Sequence, residues 1–336
     1  MQQNTSFQNL LERLPYRVIK TIPIYYGSNN RVFQLQLQDG SLLLLKQYFS
    51  DDRRRMFREW NVYAIIREHG LMQVPQPMIS DQENQIAIYE FIQGEKKTAA
   101  QLSRKDIAHM AEFLADLHRI SPDQVSVPLP RSIMSSQSMA QTIDVLIYGR
   151  MSEIEAETDQ GKTHPRLAEF LVQEDVFARV RQALRVFREK TGPKIISHEI
   201  PDQDLRLTPA DFGPHNMIFP ANRKPYFVDF EYGGWDHPLR VVGEYVNHDR
   251  ALGMSPQDKQ FFLDHYVACS PLDPDLLELL PYMRCLSEIE WIMIYISSMN
   301  VSKLKARSFA DPDFDADSYL AGQIQKTKNR LHVLDA

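Results

Sequence analysis

The chain is poor in cysteine. Cys269 and Cys285 are its only two, and neither belongs to a Cys-x-x-Cys pair. That excludes a disulfide framework, and the apolar neighbours of both thiols lead us to expect them buried and reduced. Ten histidines are scattered without a His-Glu-x-x-His pair, so no zinc site is expected. Positive charge is not in surplus: 38 Lys and Arg stand against 44 Asp and Glu, a net charge of −6. No nucleic-acid partner is indicated, and Arg53-Arg54-Arg55 reads as the solvated side of a helix. Long apolar runs are missing too. The longest, around Ile289–Ile296, is interrupted by Glu290 and reads as a buried helix. Met1–Ser6 lacks a basic start followed by an apolar stretch, so no signal peptide is read there. These absences lead to the expectation of a soluble, cytoplasmic protein without membrane insertion.

What is present fits a two-lobed globular chain. A length of 336 residues is large for one core, and 43% apolar with 24% charged residues is ordinary. The cleanest local signal is Arg31–Lys46. Phe33, Leu35 and Leu37 alternate with Gln34, Gln36 and Gln38, the period of a half-buried strand. Asp39-Gly40 supplies a tight hairpin turn, and Leu42–Leu45 return as a second strand that ends on Lys46. A helix is predicted from about Asp51 to Glu68, with Ser50 as cap and Gly70 as stop. Met56, Trp60, Tyr63 and Ile66 share one stripe of it, and Glu59 lies on that stripe. A carboxylate there is either paired, with Lys46 the obvious cation, or at the helix edge in water. Ile86–Tyr89 reads as another strand. Beyond it helices are predicted over Ala99–Arg119, Ser135–Thr158, His164–Glu189 and several segments after Pro256. Only Asp211–Phe230 breaks that pattern, with a short hairpin whose strands are Met217–Phe219 and Tyr226–Val228.

The chemistry is concentrated in this break. Asp211-Phe212-Gly213-Pro214-His215-Asn216 is followed by Tyr226-Phe227-Val228-Asp229-Phe230-Glu231. Phosphoryl transfer from a nucleotide needs one carboxylate at the acceptor hydroxyl. It also needs an amide oxygen and a second carboxylate for the metal ions that neutralise the phosphates. Asp-x-x-x-x-Asn alone is common by chance. The order of parts is more specific: a turn with Gly27, a hairpin carrying Lys, a helix with a stripe Glu, a hinge-like strand, Asp-x4-Asn and a strand-end Asp. Gly161-Lys162-Thr163 mimics the end of a phosphate-binding loop. Ala156 stands where its first glycine belongs and no strand precedes it, so that reading is set aside.

From Tyr26 to about Trp291 the chain resembles the aminoglycoside phosphotransferase and choline kinase family of small-molecule kinases. The resemblance rests on Gly27–Phe33, Lys46, Glu59, Phe113–His118, Asp211–Asn216 and Asp229–Tyr232. It implies an α+β, two-lobed, protein-kinase-like fold. Residues 1–92 would form the nucleotide lobe, with an antiparallel sheet, and 93–336 a mainly helical catalytic and acceptor lobe. It further implies ATP and Mg2+. Asp211 would be the catalytic base, and Asn216 and Asp229 the metal ligands. Lys46, held by Glu59, would meet the phosphates under the loop Gly27, Ser28, Asn29 and Asn30. The backbone near Glu90 and Ile92 would meet the adenine. The acceptor would be a small-molecule alcohol, an amino alcohol such as choline or a sugar; a nucleotide-binding pseudokinase is the alternative. Pro209 stands where the family usually has a histidine, which leaves the loop's support open. Asp236 is read as a shifted counterpart of the family's Asp-Pro. Trp235 and Trp291 are read as core rather than as a box for a quaternary ammonium.

Overall fold

The computed structural model describes residues 10–24, 30–221 and 224–335. Its first unit is a five-stranded antiparallel sheet of β1 (Val18–Ile24), β2 (Arg31–Leu37), β3 (Leu42–Gln47), β4 (Pro77–Asp81) and β5 (Ile86–Glu90), in the order β1-β2-β3-β5-β4. Period-two alternation sorts its side chains. Leu35, Leu37, Leu43, Leu45, Ile86 and Ile88 bury one face against Leu10 and Leu14. Leu44, Lys46, Tyr48, Ala87 and Tyr89 therefore turn to the other face, towards the helices. Gly40 closes the β2–β3 hairpin at φ 85°, as expected of the Asp-Gly turn. Pro23 is tolerated because β1 is an edge strand.

Helix α1 (Arg55–Glu68) starts later than its sequence suggests. Asp51 is diverted from helix initiation: its Oδ1 accepts the Arg53 N–H at 3.1 Å and its Oδ2 takes the Arg55 guanidinium at 3.0 Å. Ser50 is thus not the cap, and Arg54 enters the helix at φ 54° without a side-chain cap bond. The stop is where the sequence puts it, with Gly70 at φ 81°.

The remaining elements are mainly helical: α2 (Arg104–Leu117), α3 (Gly149–Asp159), α4 (Pro165–Gln173), α5 (Val176–Thr191), α6 (Pro238–Asn247), α7 (Pro256–Cys269), α8 (Leu280–Ser297), α9 (Val301–Ala310) and α10 (Ala316–Asp335). The segment expected as one helix over His164–Glu189 is two, broken at Asp175 with φ 48°. The helix expected from Ser135 begins at Met139 and is wound as a π-helix over Thr142–Tyr148. Gly161 ends that region at φ 64°, the ordinary use of a glycine after a helix. The chain is therefore the two-lobed α+β fold expected. Both thiols are free, but Cys285 is exposed and Cys269 half-buried, because each sits on the outer side of its helix.

Short strands carry the break in the helical pattern: β6 (Arg206–Thr208) pairs with β9 (Gly234–Asp236), and β7 (Met217–Ile218) with β8 (Tyr226–Phe227). An aromatic pile fixes them. Phe113 of α2 stacks on Phe227 at 3.8 Å and 5°, and meets Phe230 edge-on; Phe212 stacks on the same Phe227 at 5.7 Å. The residues adjoining Asp211 and Asp229 are thus set by one core contact. Phe113→Ala is expected to destabilise the fold by about 3–5 kcal/mol in urea unfolding, whereas Val172→Ala, at an 81% exposed site, should stay within about 0.5 kcal/mol.

Candidate active site

Lys46 leaves β3 on the helix-facing side and meets Glu59 of α1 at 2.7 Å and Asp229 at 2.6 Å. Glu231 stands 3.8 Å away. Burial alone would push the ammonium's pKa down, but Asp229, Glu59 and Glu231 hold it well above the ordinary lysine value. Glu59 is fully engaged: it also accepts from Tyr48 at 2.6 Å, Tyr63 at 2.8 Å and the Phe230 N–H at 3.3 Å. A buried carboxylate with four donors is the paired one of the two sequence alternatives.

Asp229 adopts φ 69°, an uncommon conformation for a residue with a side chain. Its N–H donates to Tyr63 at 2.8 Å, which together with the neighbouring Phe230 bond pins the turn. Its carboxylate remains 42% exposed. Ala210, immediately before Asp211, has φ 65°. The two carboxylates of the motif are therefore both presented from left-handed backbone, as strained residues at functional sites often are.

Asp211 receives two imidazoles on one oxygen. His215 Nε2 is 3.1 Å and His248 Nε2 3.0 Å from Oδ1. The tautomer of His248 follows from its other nitrogen, which accepts the Arg250 N–H at 3.0 Å, so the proton resides on Nε2. The two rings stack at 4.9 Å, and Trp291 closes on His248 edge-on at 4.6 Å. Burial pushes the Asp211 carboxyl upward, but His215 and His248 outweigh it and hold the pKa well below the usual range. Where Pro209 leaves no imidazole, support of the carboxylate comes from His215 and from His248, 37 residues downstream. No local spacing marks His248, and sequence reasoning missed it.

Asn216 is buried and donates Nδ2–H to the Asp211 carbonyl at 3.0 Å, while its own carbonyl accepts the Val228 N–H at 2.9 Å. It thereby ties the loop to the residue preceding Asp229. Asn30 lies at the same centre, but its side chain is committed, to Glu231 and to the Phe49 N–H at 3.1 Å. Gly27, Ser28 and Asn29 fall outside the described residues. Glu231 and Tyr232 bind Arg55 at 2.5 and 2.7 Å. Asp236 is buried on Ser132, the Ser136 N–H and Arg240. Trp235 and Trp291 are both buried. His118 is packed on Tyr266 at 2.6 Å, and burial pushes its pKa down to about 3.

Glu90 and Ile92 lie on the crossover between sheet and helices. They border a cavity of about 1390 Å3 that continues along Asp106, His109, Phe219 and Tyr226. None of Lys46, Asp211, Asn216 and Asp229 lines it, so this space adjoins the crossover rather than the charged centre. The Glu90 N–H is already bound to Gln76 at 2.9 Å. Lys96, also missed, lies on the same crossover. It donates to the His215 carbonyl at 2.9 Å and is within electrostatic reach of Asp229.

The depressed Asp211 value has a definite sign. Such a carboxylate contributes stability that is present above its unfolded pKa of about 3.9 and lost as pH falls through the lower folded value. His248→Ala removes one donor, so the Asp211 pKa is expected to rise towards the ordinary value. Carbon-13 NMR titration of the Asp211 carboxyl checks this; an unmoved titration would show that His248 has no electrostatic hold on it.

Several solved structures are similar to the chain. A spectinomycin phosphotransferase in complex with ADP and spectinomycin superposes at TM-score 0.58 and 16% identity, covering 96% of this chain and 98% of that one. An ethanolamine kinase from Plasmodium vivax gives 0.57 and 17%, over 92% and 81%. A choline kinase from Cryptosporidium parvum gives 0.56 and 14%, over 96% and 92%. At these identities the likeness is one of fold. Residues 21–257 match the phosphotransferase enzyme family over well more than half of the chain, and the chain belongs to that family.

Proposed function

We propose that the chain transfers the γ-phosphoryl group of ATP to a hydroxyl of a small-molecule alcohol. Residues 1–92 then form the nucleotide lobe and 93–336 the catalytic and acceptor lobe. The observation that carries this reading is the single ammonium of Lys46 held between Glu59 and Asp229, with Asp211 tied to the same centre through Asn216.

The residues fit a magnesium ion. Asn216 spends its Nδ2 on the Asp211 carbonyl, which leaves its Oδ1 without a partner among the described residues. Asp229 gives Oδ1 to Lys46 and keeps Oδ2 open. Two hard oxygen donors and room for water are what magnesium favours. Bound there, the ion would neutralise phosphate charge. Lys46 contacts the phosphates from the sheet side and Lys96 supplies a second cation from the crossover. The Gly27–Asn30 loop covers them, and the backbone near Glu90 and Ile92 holds the adenine.

At the acceptor, Oδ1 of Asp211 is filled by two N–H donors and Oδ2 has none among the described residues. The free oxygen accepts the hydroxyl proton. A bond forms from the acceptor oxygen to the γ-phosphorus as the bond from that phosphorus to the departing ADP breaks. A carboxylate held at so low a pKa is a weak base, so Asp211 chiefly orients the hydroxyl and takes its proton late. Most of the rate comes from positioning and from charge neutralisation.

Asp211→Ala is expected to lower turnover by about 10²–10⁴-fold with little change in nucleotide affinity, and Asp229→Ala to weaken magnesium-dependent nucleotide binding itself. Coupled ADP-release assays on a panel of alcohols, with calorimetric nucleotide titrations, check both. Near-wild-type turnover by Asp211→Ala would remove it as the base.

A further inference from the structure

The family match ends at residue 257, so α8, α9 and α10 lie beyond it. Helix α10 is nevertheless built into the core. Leu320, Thr327 and Leu331 are fully buried and Ile324 packs against the same cluster, at the spacing of one helical face. Beside that face stand Lys326 and Arg330, at i and i+4 and so neighbours on the helix surface. Both reach the same short stretch, Asn247–Asp249, which ends α6 and contains His248.

The contacts surround His248 from both sides. Lys326 Nζ meets Asp249 Oδ2 at 2.5 Å. Arg330 donates through Nη2 to the Asn247 carbonyl, and through Nη1 to Glu288 of α8 at 2.7 Å. The Asn247 side chain is tied to α8 as well: its Nδ2 donates to the Arg284 carbonyl at 2.8 Å and to Ser287 at 2.5 Å. The Arg330 guanidinium also lies over the Trp291 and Tyr295 rings, 5.5 Å from each centroid. Trp291 is the ring that closes edge-on against His248 at 4.6 Å. The residues on either side of His248, and the ring packed on it, are therefore held by α8 and α10.

His248 depends on that holding. With ψ 139° its backbone has already left α6, so the helix does not aim its ring. Two hydrogen bonds do: Nδ1 accepts the Arg250 N–H at 3.0 Å, and Nε2 donates to Asp211 at 3.0 Å. The first of them exists only while the one-turn helix Asp249–Ala251 is in place, and Asp249 opens that turn. Asp249 is also a rival for the ring proton, because its Oδ1 stands 3.6 Å from Nδ1. An unpaired carboxylate there would favour a proton on Nδ1. Nε2 would then turn a lone pair towards Asp211, and two acceptors would face each other. Lys326, on the other oxygen of Asp249, offsets that pull.

We propose that Lys326 and Arg330 of α10 are positioning residues for phosphoryl transfer: they hold His248 in the ring orientation and tautomer that donates Nε2–H to Asp211. A helix beyond the family match thus completes the support of the catalytic carboxylate. The inference rests on the phosphotransferase reading for the task of Asp211, and on the contacts alone for the link from α10 to His248.

Variants of the full-length protein test it. Lys326→Met is expected to lower kcat about tenfold, since a slightly misplaced reacting group loses at least that much, with KM for ATP and calorimetric ADP affinity unchanged. Lys326→Arg should restore kcat, and Arg330→Lys, able to keep only one of its two partners, should give a smaller loss. Lys328→Met is the control: this lysine lies on the same helix but pairs with Glu174 at 2.9 Å, and its loss should leave kcat unchanged. Nitrogen-15 NMR of the His248 ring reads the link directly. The Nε2–H form should dominate in the wild type and in Lys328→Met, and give way in part to Nδ1–H in Lys326→Met. In a His248→Ala background, Lys326→Met should lower kcat no further. Thermal melts confirm that each variant folds. An unmoved His248 spectrum, an equal loss from Lys328→Met, or an additive loss in the His248→Ala background overturns the proposal. A wild-type protein that phosphorylates no alcohol, while Lys326→Met still shifts the His248 tautomer, leaves the link standing and removes the phosphotransferase reading instead.

Discussion

One ammonium group organises this molecule. Lys46 issues from a strand, Glu59 from a helix, and Asp229 from a left-handed turn in the other lobe, 183 residues away in sequence. Bringing a buried cation within 2.7 Å of both carboxylates satisfies three charges that would each be costly alone. The surrounding structure serves that contact. Tyr48 and Tyr63 fill the remaining lone pairs of Glu59, and Tyr63 also holds the Asp229 backbone. The aromatic pile around Phe113 then fixes the segments on which Asp211 and Asp229 lie. Side-chain identity at these sites is constrained from several directions at once.

The second centre has a different physical character. At Lys46 opposite charges neutralise each other. At Asp211 two imidazole N–H groups fill one oxygen of a partly exposed carboxylate and leave its other oxygen open. Such an arrangement favours the ionised form and fixes the direction of the remaining lone pairs. It suits a group whose value lies in orienting a hydroxyl rather than in pulling strongly on its proton.

Much of the fold was legible because it is local. The alternation of Phe33, Leu35 and Leu37 with glutamines, the Asp39-Gly40 turn and the stripe containing Glu59 all follow from periods of two and 3.6 residues. The misreadings have local causes as well. Asp51 competes with helix initiation through its own side chain, and Asp175 splits a helical run through a left-handed backbone that no residue type announces. The thiol of Cys285 points outward because apolar neighbours in sequence do not say which side of a helix a residue occupies.

The sequence alone determined which residues could carry charge chemistry and in what order along the chain they occur: Lys46, Glu59, Asp211, Asn216, Asp229. It determined too that Lys46 would fall on the opposite side of its strand from Leu45, because the pleat allows nothing else. Only the tertiary structure decided that His248 stands beside Asp211 and that Asn30 is spent on Glu231 across 201 residues. Periodicity is a property of neighbouring residues and can be read directly. Charge pairing is a property of distance in space, set only when the two lobes and their helices have packed.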